Sequence, residues 1–372
     1  MSDVRVLELD PLLDDPKTKI IVCCGSGGVG KTTTAAALAL RAAERGRKTV
    51  VLTIDPARRL AQSMGLTELD NTPRSVADAD GELDAMMLDM KRTFDEIVVA
   101  HADPVRAKSI LENPFYQSLS SSFSGTQEYM AMEKLGQLRA SGQWDLIVVD
   151  TPPSRSALDF LDAPKRLGTF LDGRLIRLLL VPAKAGGRAY VKVLSAGLGM
   201  VTSVLTKILG AQVLKDVSLF VTALETMFGG FRERAEATYA LLKAPGTAFV
   251  VVAAPERDAL REAAYFVDRL RAEQMPLAGL VLNRVHRPHA PQLPAERSQV
   301  AADALAGKRG AAVAEGLLRL HTDRMVRFAG EQRMLQRFTA AHPGVPVAEL
   351  RARSTDVHDL EGLRSIGAEL GG

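Results

Sequence analysis

Lys31 and Thr32 carry the most chemistry of any neighbours in this chain, because of what precedes them. They close the run Gly25-Ser26-Gly27-Gly28-Val29-Gly30-Lys31-Thr32, which satisfies the spacing G-x-x-x-x-G-K-[ST]. Glycines there let successive backbone N–H groups turn inward as an anion nest, and a helix starting near Lys31 adds its positive end. In such a loop the lysine reaches the β- and γ-phosphates and the hydroxyl ligates Mg²⁺. The implied chemistry is binding of a nucleoside triphosphate with its metal. Gly25 to Gly30 also spell G-x-G-x-x-G, the dinucleotide fingerprint, with Asp55 available as a ribose acid. Lys31 and Thr32 decide against that reading, since a dinucleotide site has no need of the pair.

Two acids extend the site. Asp55 follows the apolar run Thr49-Val50-Val51-Leu52-Thr53-Ile54, and Asp150 follows Trp144-Asp145-Leu146-Ile147-Val148-Val149. In open α/β sheets ligands bind beyond the carboxyl ends of strands. Asp150 is expected to hold Mg²⁺ directly or through water, and Asp55 to orient the attacking water or touch the metal. A single strand-end aspartate is usually a helix cap or turn former, and Asp55-Pro56 and Asp150-Thr151-Pro152-Pro153 do spell turns. Two such acids, in this order behind a phosphate loop, favour catalysis.

The elements that must position these groups alternate along the chain. Ile20 to Cys24 reads as a strand before the loop, and a helix follows to about Arg45, with Gly46 as its stop. Further strands are expected at Leu83–Leu88, Thr247–Val252, Leu277–Leu282 and near Val345-Pro346-Val347. A helix is expected over Glu256–Glu273, a Pro/Ala-rich connection over 286–310, then two helices, and a closing helix from about Val357. This alternation predicts an α/β P-loop NTPase fold, a mostly parallel sheet covered by helices on both faces. Residues 1–17 read as a tail and 18–372 as the ATPase domain. Helical patterns at about 91–141 and 157–243 are too long for simple crossovers and read as an inserted helical subdomain.

Composition sets limits. The 372 residues include 47% hydrophobic and 24% charged residues at a net charge of +3, which fits a soluble globular chain and supplies no basic block for nucleic acid. Cys23 and Cys24 are the only cysteines. Neighbours in one strand cannot build a disulfide framework, so a reducing cytoplasmic setting is expected. No signal-peptide pattern or bilayer-length apolar run is visible, so no integral membrane segment is expected. His286 and His289 form an H-x-x-H in a Pro-rich stretch without nearby cysteines or clustered acids, which reads as solvated loop rather than metal site.

Taken as a set, these motifs resemble the deviant-phosphate-loop ATPases of the arsenical-pump and tail-anchored-protein-targeting family, with the closest likeness to an actinobacterial branch. That family's loop reads G-K-G-G-V-G-K-T, its first switch T-D-P-A and its second D-T-A-P-T-G-H-T-L. The counterparts here are Gly25 to Thr32, Ile54-Asp55-Pro56-Ala57, and Asp150 to Leu158. The Gly125 to Leu135 segment and Pro255-Glu256 also look familial. The resemblance implies an ATP-hydrolysing dimer that needs ATP and Mg²⁺. Catalytic roles would fall to Lys31 and Asp55, metal contacts to Thr32 and Asp150, and nucleotide contacts to Gly27, Gly28, Val29, Gly30, Lys31, Thr32, Thr33, Asn283 and Pro346. Asn283 would match an adenine-contacting asparagine. The helical insertions of two subunits would meet as a client or partner surface.

The departures are equally specific. The family's signature lysine is replaced by Ser26. In the family it reaches across the dimer to the other subunit's phosphates, and losing such a preorganised cation slows phosphoryl transfer. Three outcomes follow: slow hydrolysis as a switch, replacement by Arg58, Arg59 or Arg155, or a heterodimer with a paralogue that keeps the lysine, which is favoured over a homodimer. The bland alternative is that the lysine is dispensable. The zinc-binding C-x-x-C and the additional thiols of a metalloid site are missing. Val191 to Phe231 is apolar with helical spacing. It reads as a subdomain core or dimer contact more readily than as a groove for an apolar client helix.

Overall fold

Uninterrupted runs of β-branched and apolar residues become the central strands of this computed structural model, which describes residues 5–55, 59–114, 116–117, 126–152 and 233–372. Strands β1 (Ile20–Cys24), β2 (Thr49–Thr53), β5 (Leu146–Asp150) and β6 (Thr247–Ala253) are buried at every position. Such runs belong to a parallel sheet covered on both faces. With β3 (Arg74–Ser75), β4 (Leu83–Met87), β7 (Leu277–Val285) and β8 (Val347–Arg351), they form an eight-stranded sheet in the order β3-β4-β2-β5-β1-β6-β7-β8. Among the described residues, only the β3–β4 pairing is antiparallel. The P-loop α/β expectation therefore holds.

Strand order fixes where a ligand can sit. The chain leaves β1 for β2, two places away, later returns to fill the gap with β5, and then crosses to β6 on the other side of β1. That reversal opens a crevice at the carboxyl ends of β1 and β5. Register places Cys23 opposite Asp150 and Thr53 opposite Asp150. The ends of β1, β5 and β2 thus lie side by side.

The ten labelled helices follow the chain: α1 (Asp10–Asp14), α2 (Lys31–Glu44), α3 (Arg59–Ser63), α4 (Met90–His101), α5 (Pro104–Leu111), α6 (Thr126–Ser141), α7 (Arg257–Ala272), α8 (Ala295–Leu305), α9 (Ala312–Ala341) and α10 (Leu360–Gly371). Ala35 to Leu40 of α2 are wholly buried, because small side chains let this helix lie close against the sheet and α10. Arg364 of α10 clasps Glu44 at 2.6 Å.

Three boundaries differ from expectation. Residues 5–17 are not a tail. Leu9 and Leu13 are 0% exposed, Asp10 pairs with Arg41 at 2.5 Å, and Leu7 N–H donates to the Val347 carbonyl. Leu9, the N-cap, and Leu13, four residues on, bury one side of the single turn α1, too short to show as a period in sequence. The connection expected over 286–310 contains α8. Pro294 caps that helix rather than preventing it, since a missing N–H is harmless at a helix start. The two helices expected after residue 310 are the single α9, which runs through Gly316 and Gly330 at a cost in helix propensity alone.

Leu88–Ser141 belong, with residues 233–241, to a second compact unit. Asp89 and Asp103 cap α4 and α5 by accepting from Arg92 N–H and Arg106 N–H. Phe94 and Tyr116 pack with ring centroids 5.4 Å apart. Buried Glu133 takes Arg234 at 2.8 Å. The helical pattern expected over 91–141 thus appears as α4 to α6. The apolar stretch Val191–Phe231, Arg58, Gly125 and Arg155 lie outside the described residues.

Candidate nucleotide site

The phosphate loop runs from the end of β1 into α2, and close backbone approach explains its glycines. At Gly25 a β-carbon would stand 2.0 Å from the Val252 carbonyl oxygen on β6. Gly30 has φ +95° and faces Asn283, whose Nδ2 would lie 2.2 Å from any β-carbon there. Both positions exclude side chains by contact and by conformation, Gly25 having φ +151°.

Lys31 is 5% exposed and its ammonium donates to the Ser26 carbonyl at 2.7 Å. Burial lowers its pKa, and the negative field of Asp150 opposes that shift. The ammonium is thus held on the loop's own backbone. Ser26 itself is 9% exposed, so its short side chain is enclosed by its own subunit.

Asp150 is the organising acid. It is 0% exposed, and its Oδ2 accepts from both Thr32 Oγ1 and Thr53 Oγ1 at 2.8 Å. Its Oδ1 is buried and, among the described residues, has no hydrogen-bond partner. Burial raises the Asp150 pKa to about 6, against the two hydroxyl bonds and Lys31, which favour the charged form. A buried carboxylate oxygen without a donor suits a cation. The Thr32 hydroxyl, donating to Asp150, keeps lone pairs for the same ion. Two hard oxygen donors of this kind fit Mg²⁺.

Above them opens a cleft of about 790 Å³, lined among others by Gly27, Gly28, Lys31, Thr32, Thr33 and Asp55. Asp55 N–H donates to Thr53 Oγ1 at 3.2 Å. Thr53 therefore ties together the backbone of one strand-end acid and the side chain of the other. Sequence reasoning missed Thr53, although its place two residues before Asp55 was a usable signal. It also missed Arg284 and Asp356, which line the same cleft. Arg59, weighed as a substitute cation, lines it too.

The remaining positions divide. Asn283 reaches the loop, its Nδ2 donating to the Val29 carbonyl at 2.9 Å. A neighbouring cavity of about 190 Å³ is bounded by Gly30, Thr33, Asn283 and residues 350–353 and 355–357, among others. Pro346 is not brought to the site, which corrects the expectation. It precedes β8 at the amino-terminal edge of a parallel pairing, where its carbonyl accepts from Leu280 N–H. The candidate site lies at the carboxyl edge, where the segment after β8 borders the smaller cavity. His286 is likewise not free in solvent. Its backbone N–H and Nδ1 lie 2.8 and 2.7 Å from the buried Glu331 carboxylate. Burial drives both thiols upward, Cys24 to about 12, so they stay protonated and poorly suited to binding a soft ion.

Comparison with known proteins identifies a family. The profile of the anion-transporting ATPase family matches residues 18–299. An ATPase GET3 from Malassezia globosa is 30% identical over 169 residues, 45% of this chain and 49% of that protein. A Halobacterium salinarum protein named as an arsenical pump-driving ATPase is 29% identical over 194 residues, 50% of this chain and 29% of the other. An ATPase get3 from Schizosaccharomyces pombe is 30% identical over 156 residues, covering 42% and 46%. The chain therefore spans about half the length, or less, of the curated relatives it matches. With three-quarters of its length inside the family profile, this chain belongs to the anion-transporting ATPase family.

Proposed function

We propose that this chain is a Mg²⁺-dependent ATPase whose hydrolysis drives conformational switching of a dimer. The observation that carries the reading is Asp150: one carboxylate oxygen gathers Thr32 and Thr53 while the other stands buried and open beneath the phosphate loop. Thr32 and Asp150 would hold the metal, which supplies charge neutralisation across the β- and γ-phosphates. Lys31 would leave the Ser26 carbonyl to meet the charge that grows on the transferring group. Asp55, at the rim of the cleft, would orient the attacking water. The loop amides of Gly27 to Thr33 would cradle the phosphates.

Two subunits would face each other across these clefts, and their helical units would present a surface to an apolar client or partner protein. Support comes from the family relationship and from the GET3-named relatives. Because Ser26 is enclosed and uncharged, a second reading follows. The chain would then bind ATP and close on a lysine-bearing paralogue, with little turnover alone. Among the described residues, no helix is long and apolar enough to cross a membrane.

Measuring MgATP affinity and steady-state turnover on the same purified protein separates the two readings. Tight binding with sustained phosphate release supports the ATPase. Tight binding with release only after a paralogue is added supports the gated module. Absence of binding in folded protein would refute both.

A further inference from the structure

The two cavities beside the loop meet at a place built by an irregularity in β7. Leu282 pairs with Glu349 and Val285 with Arg351, so β7 spends three steps where β8 spends two. The extra residue makes a β-bulge, a device that redirects side chains at the ends of strands. Within it Arg284 adopts φ +65°, in the left-handed region that a β-carbon disfavours. The conformation is held locally. Asn283 Oδ1 accepts Arg284 N–H at 2.9 Å, while Asn283 Nδ2 donates to the Val29 carbonyl of the phosphate loop. A strained residue pinned to a phosphate loop points to function.

Arg284 lines both the cleft of about 790 Å³ and the smaller cavity of about 190 Å³, and so does Asp356, in the segment between β8 and α10. Among the described residues, neither side chain makes a hydrogen bond or ion pair. A guanidinium and a carboxylate, both uncommitted, thus border the passage between the cleft beside Lys31 and the cavity beside Asn283.

Resting on the nucleotide reading above, we propose that Arg284 and Asp356 form the sugar-phosphate subsite of a ribonucleotide. With the terminal phosphates at Lys31 and the base in the smaller cavity, the ribose and innermost phosphate must cross this passage. Arg284 donates to the innermost phosphate, a pairing that suits a planar guanidinium. Asp356 accepts from the ribose 2′-hydroxyl, a contact that 2′-deoxynucleotides cannot make.

The test is calorimetric titration of the full chain with MgATP and with Mg-2′-deoxyATP, with folding checked by the fluorescence of Trp144. Arg284→Gly removes the cation and the backbone strain together. It is expected to melt no lower than wild type yet to bind MgATP at least tenfold more weakly, with Arg284→Lys recovering part of the loss. Wild type is expected to prefer ATP over 2′-deoxyATP by tenfold or more, and Asp356→Asn to bring that ratio close to one. MgATP binding by Arg284→Gly within twofold of wild type would overturn the phosphate role. A wild-type preference under twofold would overturn the ribose role. If Lys31→Ala abolishes binding while these results appear, the subsite falls and the nucleotide reading stands. If folded wild type binds no nucleotide, both fall.

Discussion

Gly30→Ala would strike the place where the phosphate loop is stitched to β7. Two costs can be read from the geometry. The backbone at φ +95° lies where a β-carbon is disfavoured by about 1–2 kcal/mol. The added carbon would also stand 2.2 Å from Asn283 Nδ2, so the amide must withdraw from the Val29 carbonyl it now holds at 2.9 Å. Losing that bond costs roughly 1 kcal/mol, and more if the carbonyl is left without a partner. The expected destabilisation is about 2–4 kcal/mol in total. Trp144, the chain's one tryptophan, reports on it directly. It is 9% exposed, donates to Asp84 at 2.7 Å and belongs to the same compact unit as the loop. Urea unfolding followed by its fluorescence should shift by that amount. Asn283→Ala should cost about 1 kcal/mol. The double variant should cost less than the two singles added, because the collision partner is gone. A Gly30→Ala protein within about 0.5 kcal/mol of wild type, or strict additivity in the double variant, would refute the reasoning.

Other predictions address the acids and the core. Native Asp150 holds its proton more tightly than an unfolded carboxyl, its pKa being raised from 3.8 to about 6. The metal-free protein should therefore lose about 3 kcal/mol of stability as pH rises from about 4 to about 6, a slope absent in Asp150→Asn by urea unfolding. Mg²⁺ affinity should rise over the same interval, since the metal requires the charged form. Asp55→Asn should bind MgATP within about threefold of wild type but release phosphate at least about a hundredfold more slowly in a single-turnover assay; equal rates would remove Asp55 from the chemistry. Leu13→Ala should destabilise by about 2–5 kcal/mol by urea unfolding, as for a core leucine; a negligible change would return the N-terminal segment to a tail.

The candidate site was legible where chemistry and position coincide locally. Lys31, Thr32, Asp55 and Asp150 follow from a loop spacing and from apolar runs that end in acids. Parallel register then sets them side by side, because β1, β2 and β5 are neighbours. What escaped depends on distant pairing. Arg284 gains its place from a bulge visible only when β7 and β8 are paired, and Asp356 from a segment beyond β8 without a motif. Pro346 was misplaced because a short apolar triplet around it read as strand, whereas the strand begins one residue later and carries the proline to the far edge. α8 hid behind three prolines, Pro288, Pro291 and Pro294, the last of which is its cap. α1 hid because five residues are too few for a periodic signal.

The most direct test is phosphate release from γ-labelled ATP by the purified full chain, with and without Mg²⁺, beside Lys31→Ala. Mg²⁺-dependent release by wild type, reduced at least about a hundredfold in Lys31→Ala, is the expected result. Undiminished release by a clean, folded Lys31→Ala protein, or release indifferent to Mg²⁺, would contradict a catalytic site built on this loop.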